Sequence, residues 1–311
     1  MIESDPSDVF FELHHDLPRE GPGDDESTLR ALALCTELPE RPDVLDVGCG
    51  PGMQTLALAA ATGGIITAVD AHEPFLDQLR ERAEAAGVRD RLHVMRGDMT
   101  DLPFGPDSFD LIWSEGAAYI MGISEAFDAW RAFLRPGGYI VVSELVWLVD
   151  DVPAEVRDFF ERGYPGVTDV AGNLQRIAAT GYEIIDHFTL PAESWWTHYQ
   201  SPLEARIPGL LDRYAGDEAA LAVINETIEE HRIRREYPET YGYEFFIARC
   251  ACPDGPEPGS SWEPGQGRVT PELGEDAADD AAEAGDETEA ADAGLEPADA
   301  SSEREYPPSL G

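Results

Sequence analysis

The segment VLDVGCGPGMQTLALA, which spans Val44–Ala59, decides the fold of this chain. Its first residues are apolar and β-branched, which is typical of a buried parallel strand. Gly48, Gly50 and Gly52 follow directly, and a helical pattern comes after them. Glycines between a strand and a helix allow the backbone to approach a bound nucleotide closely. The segment therefore predicts a nucleotide-binding loop at the end of a strand.

The spacing of these glycines bears on which nucleotide binds. A dinucleotide fingerprint, G-x-G-x-x-G, needs its third glycine at position 53, which is Met53 in this chain. Pro51 also lacks a backbone N–H that would bind phosphate. The pattern D-x-G-x-G-x-G, which begins at Asp46, instead suits a ligand with a ribose and an amino-acid tail. These features count against NAD and FAD, so an NAD-dependent oxidoreductase is the least favoured hypothesis.

Strand patterns alternate with helical patterns along most of the chain. This alternation predicts an α/β fold, with a Rossmann-like, doubly wound, mostly parallel sheet of seven strands and right-handed connections. In such a sheet, ligands bind beyond the carboxyl ends of the strands. The predicted strands are Asp43–Gly48, Ile65–Asp70, Arg91–Asp98, Ser108–Glu115, Gly138–Trp147, Tyr182–Leu190 and Tyr241–Cys250.

The composition divides the chain into three parts. Residues 1–40 form an N-terminal segment with a helix that begins at Thr28, and we expect this segment to act as a lid. Residues 41–252 form the main domain, with helices inserted at about 194–239. Residues 253–311 are rich in acidic residues, Ala and Gly and have little to bury, so a disordered tail is predicted.

The charge of the chain is strongly unbalanced. It has 63 acidic and 21 basic residues, a formal net charge of −42, and every basic residue is Arg. Molar salt shortens the screening length to ~3 Å and relieves the self-repulsion of such a surface. We therefore expect a salt-rich cytoplasm, as in halophilic archaea; an acidic mesophilic protein with a disordered tail is the alternative. The charge argues against a nucleic-acid partner, because few cations are present to neutralise phosphates.

Neither a membrane segment nor a metal site is expected. No apolar run approaches the ~18–20 residues that span a bilayer, and the acidic N-terminus differs from a secretory signal. The cysteines, Cys35, Cys49, Cys250 and Cys252, are too few and too scattered for a disulfide framework or a zinc site. A cytoplasmic protein without a bound metal is the resulting expectation.

Three further acidic residues lie at or just after the ends of predicted strands. Asp70 ends the second strand, where a carboxylate can accept hydrogen bonds from both ribose hydroxyls. Asp98 ends the third and can accept from the adenine amine, with Met99 beside the ring. Glu115 ends the fourth, near the group that is transferred. A single acid of this kind is often only a helix cap or turn residue, but together with the glycine loop these acids indicate a nucleotide site at one sheet edge.

The pattern from Asp43 to Glu144 resembles the class I S-adenosylmethionine (SAM)-dependent methyltransferases. VLDVGCGPG resembles their first motif, AVD their ribose-binding acid, GDMTDLPF their adenine-binding stretch and LRPGGYIVVSE the turn into their fifth strand. The resemblance implies SAM as the cofactor. The residues that it implies are Asp46, Gly48, Gly50 and Gly52 for the methionine and ribose region, Asp70 for the ribose, and Asp98 and Met99 for the adenine.

A closer resemblance is to bacterial and archaeal proteins of the broad type 11 methyltransferase domain family. It rests on FFELH…LPREGPG before the domain, LIWSEGAAY after the fourth strand and YGYEFFIARC at the last strand, and it covers nearly all of residues 8–250. It implies methyl transfer to an acceptor that it does not identify. We expect a small-molecule acceptor, because the appended segments are predicted to close over the site, and a homodimer is kept as a hypothesis.

Methyl transfer requires an aligned acceptor, and it requires a base only if the acceptor must lose a proton. The candidate catalytic residues are Glu115 and Tyr119 after the fourth strand and His15, beside His14, in the N-terminal segment. Arg19 is a candidate for binding the cofactor carboxylate or an acidic substrate, and a surface ion pair is the alternative.

The stretch SWWTHYQSP concentrates aromatic residues in the predicted insertion. Trp195, Trp196, His198 and Tyr199 either line an aromatic substrate pocket, where their π faces can hold a cation, or form the core of the inserted helices. The sequence leaves both interpretations open. It also leaves open a SAM-binding protein without turnover, acting as a sensor or as the partner of another enzyme.

Overall fold

The computed structural model describes residues 4–250, and the predicted tail, 253–311, lies outside the described residues. Within this range the α-helices are α1 (Pro6–His14), α2 (Asp25–Leu34), α3 (Met53–Ala61), α4 (Glu73–Ala85), α5 (Ile123–Trp130), α6 (Ala154–Gly163), α7 (Val170–Ala179), α8 (Ser201–Arg213) and α9 (Glu218–Glu236). The strands are β1 (Asp43–Val47), β2 (Ile65–Asp70), β3 (Leu92–Arg96), β4 (Phe109–Glu115), β5 (Leu134–Trp147), β6 (Thr168–Asp169), β7 (Tyr182–Thr189) and β8 (Tyr241–Cys250).

The strands form one sheet in the order β3-β2-β1-β4-β5-β8-β7, and the two-residue β6 pairs with β5 off this path. Strands β1 to β5 are parallel, whereas β8 runs antiparallel to both β5 and β7. The prediction of an α/β fold with a mostly parallel sheet is therefore confirmed. The strand order reverses between β1 and β4, and the ligand crevice of such a sheet lies at that point, beyond the carboxyl ends of the strands.

Two apolar cores cover the two faces of the sheet. Successive residues of a strand face opposite sides, so Val44 of β1 packs in one core and Leu45 in the other. The first core includes Leu58 of α3 and Leu79 of α4, and the second includes Phe127 of α5. Packing on both faces fixes β1, and with it the start of the glycine loop.

A third apolar core joins the two segments that lie outside the main sheet. It contains Val9 and Leu13 of α1, Leu203 of α8 and Ile224 of α9, all fully buried. The sequence patterns do not predict α1, whose N-terminus is capped by the Asp5 carboxylate. We name α1, α8 and α9 together the cap, which combines the N-terminal segment with the predicted insertion.

Two predicted boundaries are wrong by a few residues. Helix α2 begins at Asp25 rather than Thr28, because the Asp24 carboxylate accepts a hydrogen bond of 2.6 Å from a backbone N–H of the first turn. Strand β5 begins at Leu134, earlier than predicted, because Leu134 already pairs with the first residue of β4. Neither difference changes which strand ends meet at the switch point.

Candidate functional site

The glycine loop follows β1 and leads into α3. Gly48, Gly50 and Gly52 have φ values of 70°, 51° and 85°. A Cβ added at Gly48 would lie 2.4 Å from the Cβ of Ala117, and one added at Gly52 would lie 2.2 Å from Leu79 Cδ1. Left-handed backbone and close approach both exclude a larger side chain at these two positions. The loop therefore keeps its backbone against the residues that follow β4.

Asp70 ends β2 beside this loop. Its Oδ2 accepts a hydrogen bond of 2.8 Å from the Gly50 backbone N–H, and its Oδ1 accepts one of 2.8 Å from that of His72. Burial, with a smaller contribution from the charge of Glu20, raises the pKa of Asp70 to about 6 against the effect of these donors. The structure places this carboxylate at the sheet edge where the sequence predicts the ribose site.

Asp46 lies on β1 directly before the loop and is fully buried. Its Oδ2 accepts hydrogen bonds from Thr55 Oγ1 at 2.5 Å and from Gln54 Nε2 at 3.4 Å, both on α3. Burial raises the pKa of Asp46 to about 7. Its Oδ1 has no hydrogen-bond partner among the described residues. Oδ2 thus links α3 to β1 through hydrogen bonds, and Oδ1 is left without a hydrogen bond.

Asp98 and Met99 follow β3 at the same edge. Asp98 is exposed, and its Oδ1 accepts hydrogen bonds from the Thr100 N–H at 2.8 Å and Oγ1 at 2.7 Å, which is the geometry of a turn residue. Met99 Cε lies 3.6 Å from the position that a Cβ would occupy at Gly48, and the Met99 carbonyl accepts from Trp130 Nε1 at 3.1 Å. The structure therefore brings Met99 close to the glycine loop.

Glu115 is held by a buried ion pair at the end of β4. Arg19 Nη1 donates to Glu115 Oε2 at 2.8 Å, and the two side chains are only 4% and 6% exposed. Thr28 Oγ1 and Trp113 Nε1 donate to the other oxygen at 2.7 and 2.9 Å. The interpretation of Arg19 as a surface residue is therefore wrong, and both of its partners, Glu115 and Asp25, belong to this chain.

The segment that precedes α2 covers the glycine loop. We name residues 15–24 the strap. Glu20 Cγ lies 3.4 Å from the position of a Cβ at Gly50, and Glu20 Oε2 bonds His14 Nδ1 at 2.8 Å. The guanidinium of Arg82 on α4 donates to the carbonyl oxygens of Leu17, Pro18 and Pro51. The strap is thus tied both to α4 and to the loop.

The structure does not bring His15 to this site. Its side chain is 63% exposed and forms an ion pair of 3.2 Å with Asp16. The neighbouring His14 is buried instead, because its ring stacks on Phe10 and packs toward Tyr199 of the insertion. Of the two histidines, His14 is the one that contacts the strap above the loop.

Tyr119 lies in a short helical turn, Ala118–Ile120, after β4. Its ring centroid is 5.6 Å from that of Tyr164, and it packs partly buried against the first core. A Cβ at Gly116 would lie 3.5 Å from the Tyr243 ring. Aromatic rings therefore surround the segment that follows Glu115, with Tyr119 among them.

Sequence reasoning misses several residues that contact the site. They are Glu20 on the strap, Thr28 on α2 and Arg82 on α4, which bind Glu115, the loop or the strap across long separations in sequence. No local pattern marks them; the one available signal is that Glu20 lies in the LPREGPG stretch. Among residues 4–250, no cluster of His, Cys, Asp and Glu could hold a metal ion and no helix could span a membrane.

The strand order, the glycine loop and the carboxylate at the end of β2 agree with the resemblance to class I SAM-dependent methyltransferases that the sequence indicates. Residues 44–138 match the sequence profile of a family described as "Methyltransferase domain". This stretch contains the glycine loop, Asp70, Met99 and Glu115. The prediction of a methyltransferase domain is therefore confirmed for the part of the sheet that contains β1 to β4 and the start of β5.

Curated relatives match part of the chain. The chain is 31% identical over 150 residues to Methyltransferase GfsG of Streptomyces halstedii, covering 44% of this chain and 54% of that protein. It is 29% identical over 160 residues to sterol 24-C-methyltransferase ERG6B of Gibberella zeae, covering 48% and 41%. It is 29% identical over 183 residues to erythromycin 3''-O-methyltransferase of Saccharopolyspora erythraea, covering 58% and 54%. The chain spans about half the length of these relatives.

Solved structures share the fold over a larger part of the chain. A SAM-dependent methyltransferase from Geobacter sulfurreducens, in complex with S-adenosyl-L-homocysteine, superimposes with a TM-score of 0.65 at 24% identity, covering 80% of this chain and 99% of that one. The [4+2]-cyclase SpnF superimposes with a TM-score of 0.62 at 19% identity, covering 79% and 93%. The fold is therefore shared with proteins whose names indicate different reactions.

Proposed function

We propose that this chain is an enzyme that transfers a methyl group from SAM to a small-molecule acceptor. The observation that carries the proposal is the Asp70 carboxylate, held at the switch point by the Gly50 N–H beside a left-handed glycine loop. Similarity to named methyltransferases over the region of that loop supports it.

The residues around the loop fit SAM. Asp46 Oδ1 is a buried oxygen without a partner among the described residues, and the approach of Gly48 to Ala117 leaves backbone rather than side chain at the crevice. We assign Asp70 to the ribose, Asp46 and the glycine loop to the ribose and methionine portion, and Met99 with Asp98 to the adenine. When bound, SAM supplies a methyl group that is already activated on a sulfonium.

The chain itself then has to align the acceptor and exclude water. We propose that the strap contributes to both, because it lies over the loop and is tied to α4 and β4. Glu115, with both oxygens hydrogen-bonded, acts as the anchor of the strap. Tyr119 remains the candidate to contact an acceptor, and a base is needed only for an acceptor that must lose a proton.

Two measurements test the proposal. The first is the thermal unfolding midpoint with SAM, S-adenosylhomocysteine or NAD; we expect the first two to raise it, because a ligand that binds only the folded state stabilises that state. Stabilisation by NAD alone would contradict the proposal. The second is transfer of a labelled methyl group from SAM to a component of a cell extract, with the labelled product identified.

A SAM-binding protein without methyl transfer is the second candidate. The [4+2]-cyclase SpnF shares this fold, so the fold also occurs in a protein named for a reaction other than methyl transfer. This similarity favours retaining the second candidate. The two candidates separate in the labelling experiment. Binding of SAM without any labelled product, in extracts from several salt-adapted cells, would favour the second candidate.

We also propose that the protein works in a salt-rich cytoplasm. That it forms a homodimer remains a hypothesis. The support for the setting is the composition, with 63 acidic residues and Arg as the only basic type. Unfolding midpoints that rise between ~0.1 M and ~3 M salt are expected, because screening relieves self-repulsion. An unchanged midpoint would contradict this setting, and sedimentation at both salt concentrations tests the dimer.

A further inference from the structure

A buried group of polar side chains lies between the glycine loop and the cap. We name Tyr199, Glu230 and Tyr243 the inner cluster; each is no more than 1% exposed. Burial raises the pKa of both tyrosine hydroxyls, and the nearby Glu230 carboxylate raises the pKa of each further. The three side chains come from the π-helical turn Trp196–Gln200, from α9 and from β8, and the influence of Glu230 on both hydroxyls indicates that its carboxyl group lies near them.

The inner cluster adjoins the proposed methyl-transfer site. The Tyr243 ring lies 3.5 Å from the position of a Cβ at Gly116, directly after β4. On the other side, the Tyr199 ring centroid is 6.1 Å from that of His14, which bonds Glu20 above the loop. An acceptor bound here would lie at the carboxyl end of the sheet, next to the glycine loop.

Two polar atoms of the cluster are unsatisfied. Neither Tyr199 Oη nor Glu230 Oε1 has a hydrogen-bond partner among residues 4–250, although both are fully shielded. Buried polar groups are nearly always hydrogen-bonded, so these two atoms lack partners that a ligand would supply. Burial raises the pKa of Glu230 to about 8, and among its neighbours only the Gln200 amide acts in the opposite direction.

Basic side chains of the strap and of α9 are paired elsewhere or uncharged. Arg19 is paired with Glu115 and Asp25. Arg234 donates to the carbonyl oxygens of Pro238 and Tyr241, with its guanidinium 4.1 Å above the Trp195 ring. Burial lowers the pKa of His231 to about 4, so that residue carries no charge near neutral pH. Among the described residues, no cationic side chain lowers the pKa of Glu230, so its carboxyl group is mostly protonated near neutral pH, and a bound cation would favour its ionised form.

We propose that the inner cluster binds an organic cation of the alkylammonium class, with Glu230 as its counter-ion and the rings of Tyr199 and Tyr243 against its alkyl groups. This inference rests on the proposed function, since it names the acceptor class of the same site. Aromatic faces attract ammonium groups, and a buried carboxylate without a partner is complementary to a positive charge. A phosphate or carboxylate group would instead raise the pKa of Glu230 further and would gain no ion pair from it.

The test compares two probes of nearly the same shape by calorimetry. Choline carries a trimethylammonium group, and 3,3-dimethylbutan-1-ol has a neutral tert-butyl group in its place. Both are titrated into the full chain, with and without saturating S-adenosylhomocysteine, at one salt concentration. We expect choline to bind at least about tenfold more tightly than the alcohol, because only choline gains the charge and cation–π interactions.

Three variants locate the effect. Glu230→Gln should remove the preference for choline while leaving the affinity for S-adenosylhomocysteine unchanged, which also shows that the variant is folded. Tyr199→Leu should weaken choline severalfold. Glu229→Gln is the matched control, because Glu229 is an adjacent, partly exposed residue of α9 that pairs with Arg232.

The outcomes separate the two proposals. Equal affinities for the probes, failure of choline to bind, or a preference that survives in Glu230→Gln would each overturn the cation site. Each of these results leaves the proposed function intact provided that S-adenosylhomocysteine binds. Failure of S-adenosylhomocysteine to bind the unmodified chain would instead overturn the proposed function.

Discussion

The glycine-loop edge and the cap-covered side of the site are built in different ways. The edge comes from a short continuous stretch in which β1, the loop, α3 and β2 follow one another, and both oxygens of Asp70 are hydrogen-bonded by the chain. The covered side combines α1 with α8 and α9 from the other end of the described chain, and it leaves polar atoms of Tyr199 and Glu230 unsatisfied.

This difference assigns the two halves of the site different tasks. The edge lies in the region that matches the methyltransferase domain family, 44–138, and Asp46 Oδ1 is left unsatisfied there. The cap lies outside that region. We assign the unsatisfied oxygen of Asp46 to the cofactor and those of Tyr199 and Glu230 to the acceptor, and the following experiments test this division.

The largest effect is expected from breaking the ion pair that joins the two regions. Arg19→Ala leaves Glu115 buried without its positive partner and should lower the free energy of unfolding by about 3–5 kcal/mol. Denaturant unfolding at constant salt measures it. The control is Arg80→Ala, which removes more exposed ion pairs with Glu73 and Asp77 and should cost no more than about 1 kcal/mol. Equal losses would mean that the strap is not anchored through Arg19.

The next largest effect is expected from a substitution at the glycine-loop edge alone. Asp70→Asn should weaken SAM binding by roughly 10- to 150-fold, because a hydrogen bond to a charged group contributes about 1.5–3 kcal/mol and the substitution removes the charge. Calorimetric titration measures it. Asp77→Asn serves as the control, since Asp77 is an exposed residue of α4. Unchanged affinity in Asp70→Asn would remove the ribose assignment.

A substitution within the glycine loop should lower the free energy of unfolding through the edge, without altering the contacts of the cap. Gly52→Ala places a Cβ 2.2 Å from Leu79 Cδ1 at a φ of 85° and should cost about 1–3 kcal/mol. Gly87→Ala, at a φ of 69° with no atom within 4 Å of the new Cβ, isolates the backbone strain. If the two variants unfold at the same denaturant concentration, packing against Leu79 contributes nothing.

The pH dependence of SAM binding should follow Asp70. Its pKa is raised to about 6, so the ionised form that accepts from hydroxyls becomes dominant only above that pH. Affinity should therefore increase by up to about tenfold per pH unit from pH 5 and level off near pH 7. The unliganded protein should lose stability as the pH rises from about 4 to about 6, between the pKa of Asp70 in the unfolded state and that in the folded state, because the folded state holds the proton more tightly.

Asp70→Asn should flatten the binding profile. A profile that keeps its slope in this variant would assign the titration to Asp46, whose pKa is raised to about 7, or to Glu20, whose pKa is also raised.

The smallest effect is expected at His15. His15→Ala should leave both stability and SAM affinity within about 0.5 kcal/mol of the unmodified chain, because its side chain is 63% exposed and lies outside both regions. Parallel titrations and unfolding curves would show it. A large loss of methyl transfer in this variant would restore His15 as a catalytic residue.

The edge could be predicted from the sequence because its information is local. Buried parallel strands are continuous apolar runs, and the loop glycines and Asp70 follow those runs directly. The cap could not be predicted in the same way. The apolar residues of α1 pack on α8 and α9, and Arg19 meets Glu115 across 96 positions. No pattern in the sequence distinguishes Glu230 from the other acidic residues of α9.

The most direct test of the central claim is an experimental structure with S-adenosylhomocysteine bound. We expect the ribose hydroxyls to lie within hydrogen-bond distance of the Asp70 carboxylate, the adenine to lie beside Met99, and the amino-acid tail to lie at the glycine loop. A ligand bound elsewhere, or a ribose that makes no contact with Asp70, would contradict it.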